Sequence, residues 1–434
     1  MKVLYPIFVL LSLWIKNSHQ QNCTQRTEIQ ELTLEGSTSS DNFGFSVYAY
    51  GKYLLAGAPG RNVAQLYTRE PGGAYEFVDQ IGYASGGSFG SALFIDPIYM
   101  FVGAPAVSSV EIYTYPPLEH FQRLYTNSLS DLFGSSLAAF NDSVFRYLAI
   151  GAPGGTGYVS MYGYNMIALQ WENAGTLVSG NSLSSSIGVS VAGIVIDGYQ
   201  IVAAGGPESR GIAPIYYNSA GAVAIFINTV YTQTLISPVQ YANNRFGVTV
   251  QMSGNILLVG ESGGNYMHLF TLTMPNGSLP TYVFNATLTN FTSFPIGAAI
   301  SYYNGQALLG EGNYITAGIV QSVPLYNVIS PTATCQYQFK GSITGPNDNF
   351  GSSVGLLSPD GGNTTLAIIG SMSAISDNTT STRGGAVFIF CANQNGSSCS
   401  NCSGVINRCG VCDGPLNCTA PFITTGERCY LLLY

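Results

Sequence analysis

Seven times along the chain a Phe-Gly or Ile-Gly pair is followed, 13 to 19 residues later, by Gly-Ala-Pro or an eroded form of it. The clearest copies are Phe43-Gly44 with Gly57-Ala58-Pro59, Phe89-Gly90 with Gly103-Ala104-Pro105, and Phe133-Gly134 with Gly151-Ala152-Pro153. The later ones are Ile187-Gly188 with Gly205-Gly206-Pro207, Phe246-Gly247 with Gly260-Glu261-Ser262, Ile296-Gly297 with Gly310-Glu311-Gly312, and Phe350-Gly351 with Gly370-Ser371-Met372. Successive first glycines lie 44 to 59 residues apart. That period belongs to four-stranded propeller blades rather than helical solenoids. Each repeat alternates apolar and polar residues and lacks the stripe of an amphipathic helix.

The expected fold is therefore all-β: a seven-bladed β-propeller with a small cysteine-rich C-terminal tail. In the first repeat the strands are expected at 44–50, 53–56, 63–67 and 77–81. Glycine is required where backbones crowd at the start of an inner strand. The Phe before it is expected to wedge between blades, and Pro59 to stop pairing at the end of the second strand. The seventh repeat runs out after its third strand, Ala386-Val387-Phe388-Ile389-Phe390, whereas Ile29 to Leu34 precedes the first repeat as an unassigned strand. That strand is expected to complete the seventh blade and remove the two open edges.

The paired motif resembles the FG-GAP repeat of the integrin alpha-chain N-terminal propeller, over roughly residues 28 to 391. The resemblance implies an extracellular adhesion module that binds through loops on one face of the disc. The family's DxDxDG calcium loop is missing. Asn141-Asp142 and Asp360-Gly361-Gly362-Asn363 offer too few carboxylates for a calcium cage, so no metal and no cofactor is expected.

Residues 1–20 read as a secretory signal peptide: Lys2, an apolar run from Val3 to Ile15, then a polar end. No other stretch reaches the length of a membrane helix, so a secreted propeller over 21–391 and a tail over 392–434 are expected, without a direct membrane span. Sequons at Asn22, Asn141, Asn276, Asn285, Asn290, Asn363, Asn378, Asn395, Asn401 and Asn417 accord with that route. With 8% charged residues and a net charge of -8, the chain has no basic face for nucleic acid.

Seven of the nine cysteines fall between Cys391 and Cys429. In a secreted chain this reads as a disulfide-stapled tail, although Cys399-x2-Cys402-x6-Cys409-x2-Cys412 also matches a four-thiolate zinc spacing. Pairing of the N-terminal strand with Ala386 to Phe390 would bring Cys23 beside Cys391, and a disulfide between them is expected to lock the ring. The odd cysteine, taken as Cys335, is left free or joined to a covalent partner chain.

Gly86-Gly87-Ser88-Phe89-Gly90 and Gly260-Glu261-Ser262-Gly263-Gly264 match the GxSxG pattern of hydrolases but lack its strand-turn-helix setting. His120 and His268, expected on or beside outer or third strands, read as isolated surface residues with no carboxylate near. Asp96, Asp131, Asp197 and Glu261 are spread singly. The chain is therefore expected not to be an enzyme.

Two loops that follow Gly-Ala-Pro positions are unusually long: 207–220, with Glu208, Arg210, Tyr216 and Tyr217, and 371–383, with Asp377 and Arg383. Long loops in compact domains are often functional, and Tyr and Arg are enriched at binding hot spots. The first loop is taken as the ligand site, for an extracellular protein or, alternatively, a glycan. Most of the 29 tyrosines are expected to serve as half-buried strand residues.

Overall fold

The computed structural model describes residues 24–26, 28–34, 38 and 40–392, except 71–72, 83–85, 179–185, 211–216, 275–277, 289–295, 312–319, 326–336, 340–347, 359–364 and 374–383, together with 422–425 and 428–431. Seven antiparallel sheets follow one another along the chain, and each inner strand packs against the next. The fold is an all-β, seven-bladed propeller. Blade 1 comprises Ser46–Tyr50, Tyr53–Ala58, Val63–Arg69 and Tyr75–Gly82, in that order from the axis outward. Pairing in its second strand stops at Ala58, immediately before Pro59. Blade 7 contributes three strands of its own, and Glu28–Leu32 adds the fourth, antiparallel to Ala386–Cys391 with Leu32 opposite Val387. Two features lie outside the sequence expectation: Thr24–Arg26 runs parallel to Tyr337–Phe339, as a fifth strand on blade 6, and in the tail Phe422–Thr425 pairs antiparallel with Arg428–Leu431.

The recurring pair of motifs has a backbone cause. In blades 1 to 4 the amide of the first motif's glycine donates to the carbonyl of the same blade's second-motif glycine, from Gly44 to Gly57 (2.9 Å), Gly90 to Gly103 (3.0 Å), Gly134 to Gly151 (3.0 Å) and Gly188 to Gly205 (3.0 Å). Its carbonyl then presses on the preceding blade. A Cβ on Gly57 would lie 2.1 Å from the carbonyl oxygen of Gly90, and one on Gly103 2.0 Å from that of Gly134. The same contact closes the circle, because a Cβ on Gly370 of blade 7 would lie 2.0 Å from the carbonyl oxygen of Gly44 in blade 1. Neither motif glycine has room for a side chain, and Gly44 adds a φ of +82°.

A serine two residues after the Phe-Gly glycine bonds that same carbonyl of the next blade. Ser46 reaches Gly90 (2.6 Å), Ser136 reaches Gly188 (2.8 Å), Ser190 reaches Gly247 (2.9 Å) and Ser353 reaches Gly44 (2.8 Å). The aromatic of the pair fills the gap between sheets. Phe89 sits among Leu55, Leu66 and Ile81 of blade 1 and Leu93, Met100 and Val102 of blade 2. Phe43, Phe89, Phe133, Phe246 and Phe350 are all fully buried, and each such burial contributes about 1.5 to 3 kcal/mol.

At the rim a second joint appears, among the described residues, at three of the boundaries. A glutamine on one outer strand clasps both backbone groups of a buried aromatic on the next: Gln30 with Tyr75, Gln122 with Trp171 and Gln233 with Tyr282, at 2.7 to 3.0 Å. These clasps tie blade 7 to 1, 2 to 3, and 4 to 5.

Candidate functional site

The loops leading into each Phe-Gly and those following each Gly-Ala-Pro share the upper face and are stitched together there. Gly60 donates to the carbonyl of Asp41 (3.1 Å), Gly154 to that of Asp131 (2.9 Å) and Gly263 to that of Asn244 (2.9 Å). The residue just before the motif's Phe or Ile turns the chain with a positive φ in every described lead-in: Asn42 (55°), Ser88 (56°), Leu132 (55°), Ser186 (58°), Arg245 (59°) and Asn349 (54°). Asparagine tolerates that conformation; a long branched or charged side chain holds it at a cost.

Blade 4 departs from this frame. The segment after Gly206-Pro207 reaches across to the lead-in of blade 5, where Asn243, Arg245 and Phe246 donate to the carbonyls of Asn218 (2.9 Å), Ser219 (3.0 Å) and Ala220 (2.9 Å). Glu208 accepts from Arg245 at 2.9 Å and from the Ser219 hydroxyl at 2.7 Å, while its own amide donates to Ser186 Oγ at 3.2 Å. Tyr217 meets Tyr241 with ring centroids 6.3 Å apart. Glu208 and Arg245 are nearly half exposed, and Tyr241 more so. The result is a ridge over the boundary between blades 4 and 5 with a carboxylate, a guanidinium and two aromatic rings at its surface.

Of the residues expected at the site, Glu208 and Tyr217 therefore come together here, Arg210 lies exposed on the same loop, and Tyr216 falls outside the described residues. Arg245 and Tyr241 went unread in the sequence. An Asn-Asn-Arg lead-in looks like an ordinary turn, and the signal available was an arginine where blades 1 and 7 carry asparagine. Residues 374–383 of the second long loop, Asp377 and Arg383 among them, lie outside the described residues.

The histidines require a correction. His268 is fully buried, with Nε2 2.6 Å from Glu261 and Nδ1 2.9 Å from the Thr287 hydroxyl. Glu261 also accepts from the side-chain amide of Asn244, which anchors the lead-in beside Arg245. A lone buried carboxylate would be costly, and the Gly-Glu-Ser form of the fifth motif is accommodated because His268 and Asn244 partner Glu261. His120 is half exposed and 2.9 Å from the buried Glu111, which Arg123 also meets at 3.1 Å. Strand pairing supplies carboxylates seven and nine residues away that composition hides.

The two GxSxG matches are repeat turns. Ser88 occupies the positive-φ lead-in position of blade 2, and Ser262 the turn after the second strand of blade 5, while His268 spends its ring nitrogens on Glu261 and Thr287. Among the described residues no group of three or more His, Cys, Asp or Glu side chains could hold a metal ion, and no helix is long and apolar enough to cross a membrane.

Asn141 is exposed at the end of an inner strand and Asn285 half buried on an outer one. Asn22, Asn276, Asn290, Asn363, Asn378, Asn395, Asn401 and Asn417 lie outside the described residues, as do residues 1–20, Cys23, Cys335 and the tail cysteines other than Cys429. Cys391 is disulfide-bonded.

No family model matches the chain, and no curated protein matches it. Among solved structures it is similar to the β-propeller domain of Cps50 (Swd1) from Myceliophteria thermophila, with a TM-score of 0.56 and 9% identity, covering 84% of this chain and 99% of that one. The class is thus a seven-bladed β-propeller. At that identity the likeness concerns architecture, and the resemblance to FG-GAP repeats rests on the repeat itself.

Proposed function

We propose that this chain is a secreted binding or adhesion propeller of the FG-GAP type, without catalysis, whose ligand is an extracellular protein held on the upper face by the ridge over blades 4 and 5. The observation that carries this reading is the cross-blade pairing of Glu208 with Arg245 beside Tyr217 and Tyr241. An exposed ion pair contributes only about 0 to 1 kcal/mol to folding, so a ligand can exchange it for its own charges at little cost. Exposed Tyr and Arg are the side chains that dominate binding energy at interfaces. A glycan ligand is the second reading, favoured by the paired tyrosine rings, which offer a stacking surface for a sugar.

Parallel screening on immobilised extracellular-matrix proteins and on a glycan array, with wild type and an Arg210→Ala, Tyr217→Ala, Arg245→Ala variant, tests both readings. Capture of a matrix protein that the variant loses is expected; a hit confined to glycans supports the second reading, and capture unaffected by the variant moves the site elsewhere. Secretion and the Cys23–Cys391 seam belong to the same proposal. Non-reducing peptide mapping of protein recovered from culture medium is expected to link Cys23 to Cys391, and a link from Cys391 to a tail cysteine would end the seam proposal.

A further inference from the structure

The lower face of blade 3 carries side chains that a solvent turn has no reason to hold. Its two turns join Ser136–Asn141 to Arg146–Ala152 and Tyr158–Asn165 to Gln170–Leu177. Turns favour Gly, Asn, Asp, Pro and Ser, yet these present Val144-Phe145 and Met166-Ile167-Ala168-Leu169. Ile167 is 96% exposed, and Val144, Phe145, Met166 and Leu169 are all more than half exposed. Leu169 is held at φ 52°, a conformation that costs a leucine what it does not cost a glycine. The corresponding turn of blade 4 uses Asn228-Thr229 for its positive-φ positions. The positive φ is common to both turns, and the exposed apolar side chains are what set the blade 3 tip apart.

Both blade 3 turns are closed by side-chain hydrogen bonds. Asp142 accepts from the amides of Val144 (2.7 Å) and Phe145 (2.6 Å), and Asn165 accepts from those of Ile167 (2.9 Å) and Ala168 (3.0 Å). Between them lies a groove of about 420 Å³ lined by Phe145, Tyr164, Met166, Ile167, Glu172 and Asn173. Its floor is fixed, because Tyr164 packs against Trp171, Tyr99 and Phe121 with centroids 5.5 to 6.4 Å apart. Asn165 and Gln170 each donate to Glu172 at 2.9 Å, which holds its carboxyl below the ordinary range and ionised. Asp142 is held low in the same way by the amides of Phe145 and Val144. The nearby cation, Arg146, is turned toward Asp96 at 3.9 Å. The tip is an apolar groove with one ionised carboxylate, Glu172, in its lining and a second, Asp142, in the adjoining turn.

We propose that the lower tip of blade 3 is a docking surface for a peptide segment that presents an apolar side chain next to a lysine or arginine. Charge chooses this occupant. A second copy of the chain would set like carboxylates against one another, and a bilayer surface would receive the two carboxylates together with the apolar side chains. A prearranged groove lowers the ordering cost of binding, and large exposed apolar patches mark interaction sites.

The test uses the full chain and two labelled synthetic peptides, Lys-Leu-Phe-Leu-Lys and Glu-Leu-Phe-Leu-Glu, followed by fluorescence anisotropy. The lysine peptide is expected to bind saturably and the glutamate peptide at least about tenfold more weakly. Ile167→Ser with Phe145→Ser should abolish binding, while Glu172→Gln should keep it and narrow the preference between peptides. Leu169→Gly, which relieves the strained turn without touching the groove lining, guards against misreading a folding defect: it should keep binding, with an unchanged or raised melting temperature. Equal affinity for the two peptides, failure of the lysine peptide to bind, or binding indifferent to Ile167→Ser would overturn the proposal. So would concentration-dependent dimerisation, or pelleting with phosphatidylcholine vesicles, that Ile167→Ser removes while the lysine peptide is not bound; these would assign the tip to a second copy or to a lipid surface.

Discussion

The boundary between blades 7 and 1 and the boundary between blades 4 and 5 are built from the same parts, and they differ in what stands on top. Each has the glycine contact, through Gly370 against Gly44 and Gly205 against Gly247. Each has the serine bond, from Ser353 and from Ser190, and each has the rim clasp, from Gln30 and from Gln233. At the first boundary the positive-φ residue is Asn42, which suits that backbone. At the second it is Arg245, paired with Glu208 at the start of the long loop from blade 4. The frame of a blade boundary is thus held constant by backbone sterics, whereas the loops above it are free to take on charge and aromatic surface at a local cost.

Breaking the frame should have the largest effect and should not distinguish the two boundaries. Gly370→Ala would put a Cβ 2.0 Å from the carbonyl of Gly44, and Gly205→Ala 1.9 Å from that of Gly247. Each is expected to cost about 3 kcal/mol or more, or to prevent folding. Gly51→Ala, where a Cβ meets nothing within 4 Å at a φ of 56°, should cost only about 1 kcal/mol. Urea unfolding of the three variants measures the spread; equal losses for all three would deny the steric basis of the repeat.

The clasps come next. Gln30→Ala and Gln233→Ala each remove a pair of hydrogen bonds to backbone and should cost about 1 to 2 kcal/mol. The two should differ in kind, since Gln30 lies on the strand that closes the ring. Hydrogen exchange is expected to rise across residues 28–32 in Gln30→Ala and to stay local to blades 4 and 5 in Gln233→Ala. Deprotection of residues 28–32 in both variants would mean that the clasps do not act boundary by boundary.

A smaller effect separates the boundaries by pH. Burial, with a smaller contribution from neighbouring Glu28, raises Glu31 on the closing strand from its ordinary 4.5 to about 7. A carboxyl whose folded value is raised stabilises fully below its unfolded value, and that contribution is lost as pH rises through the folded one. Glu31→Gln should therefore raise the melting temperature at about pH 8.5 and leave it little changed at about pH 4.5. Glu31 is about half buried, so solvent screening keeps the gain to a few degrees at most. A gain of equal size at both values would exclude ionisation as its cause.

What could be read from the chain divides along the same line. The seven blades were legible because Gly44, Gly57 and their counterparts answer a steric demand that no other residue meets, and such demands leave a mark at every repeat. The rim clasps were not, because Gln30, Gln122 and Gln233 bond backbone atoms 45 to 49 residues away and, among the described residues, serve three of the boundaries. His268 read as an isolated surface residue because its carboxylate lies on the adjoining strand. The ridge proposed as the site was half legible as geometry: an unusual length flagged the loop from blade 4, but its partner Arg245 is marked only by an unfavourable backbone angle that sequence does not display.

The most direct measurement is the affinity of Arg245→Asn for the matrix protein or glycan that screening identifies, taken with its stability. Asparagine suits the positive φ and removes the guanidinium, so the account predicts affinity reduced at least about tenfold, with folding stability unchanged or raised. Unaltered affinity in a folded Arg245→Asn protein would contradict it.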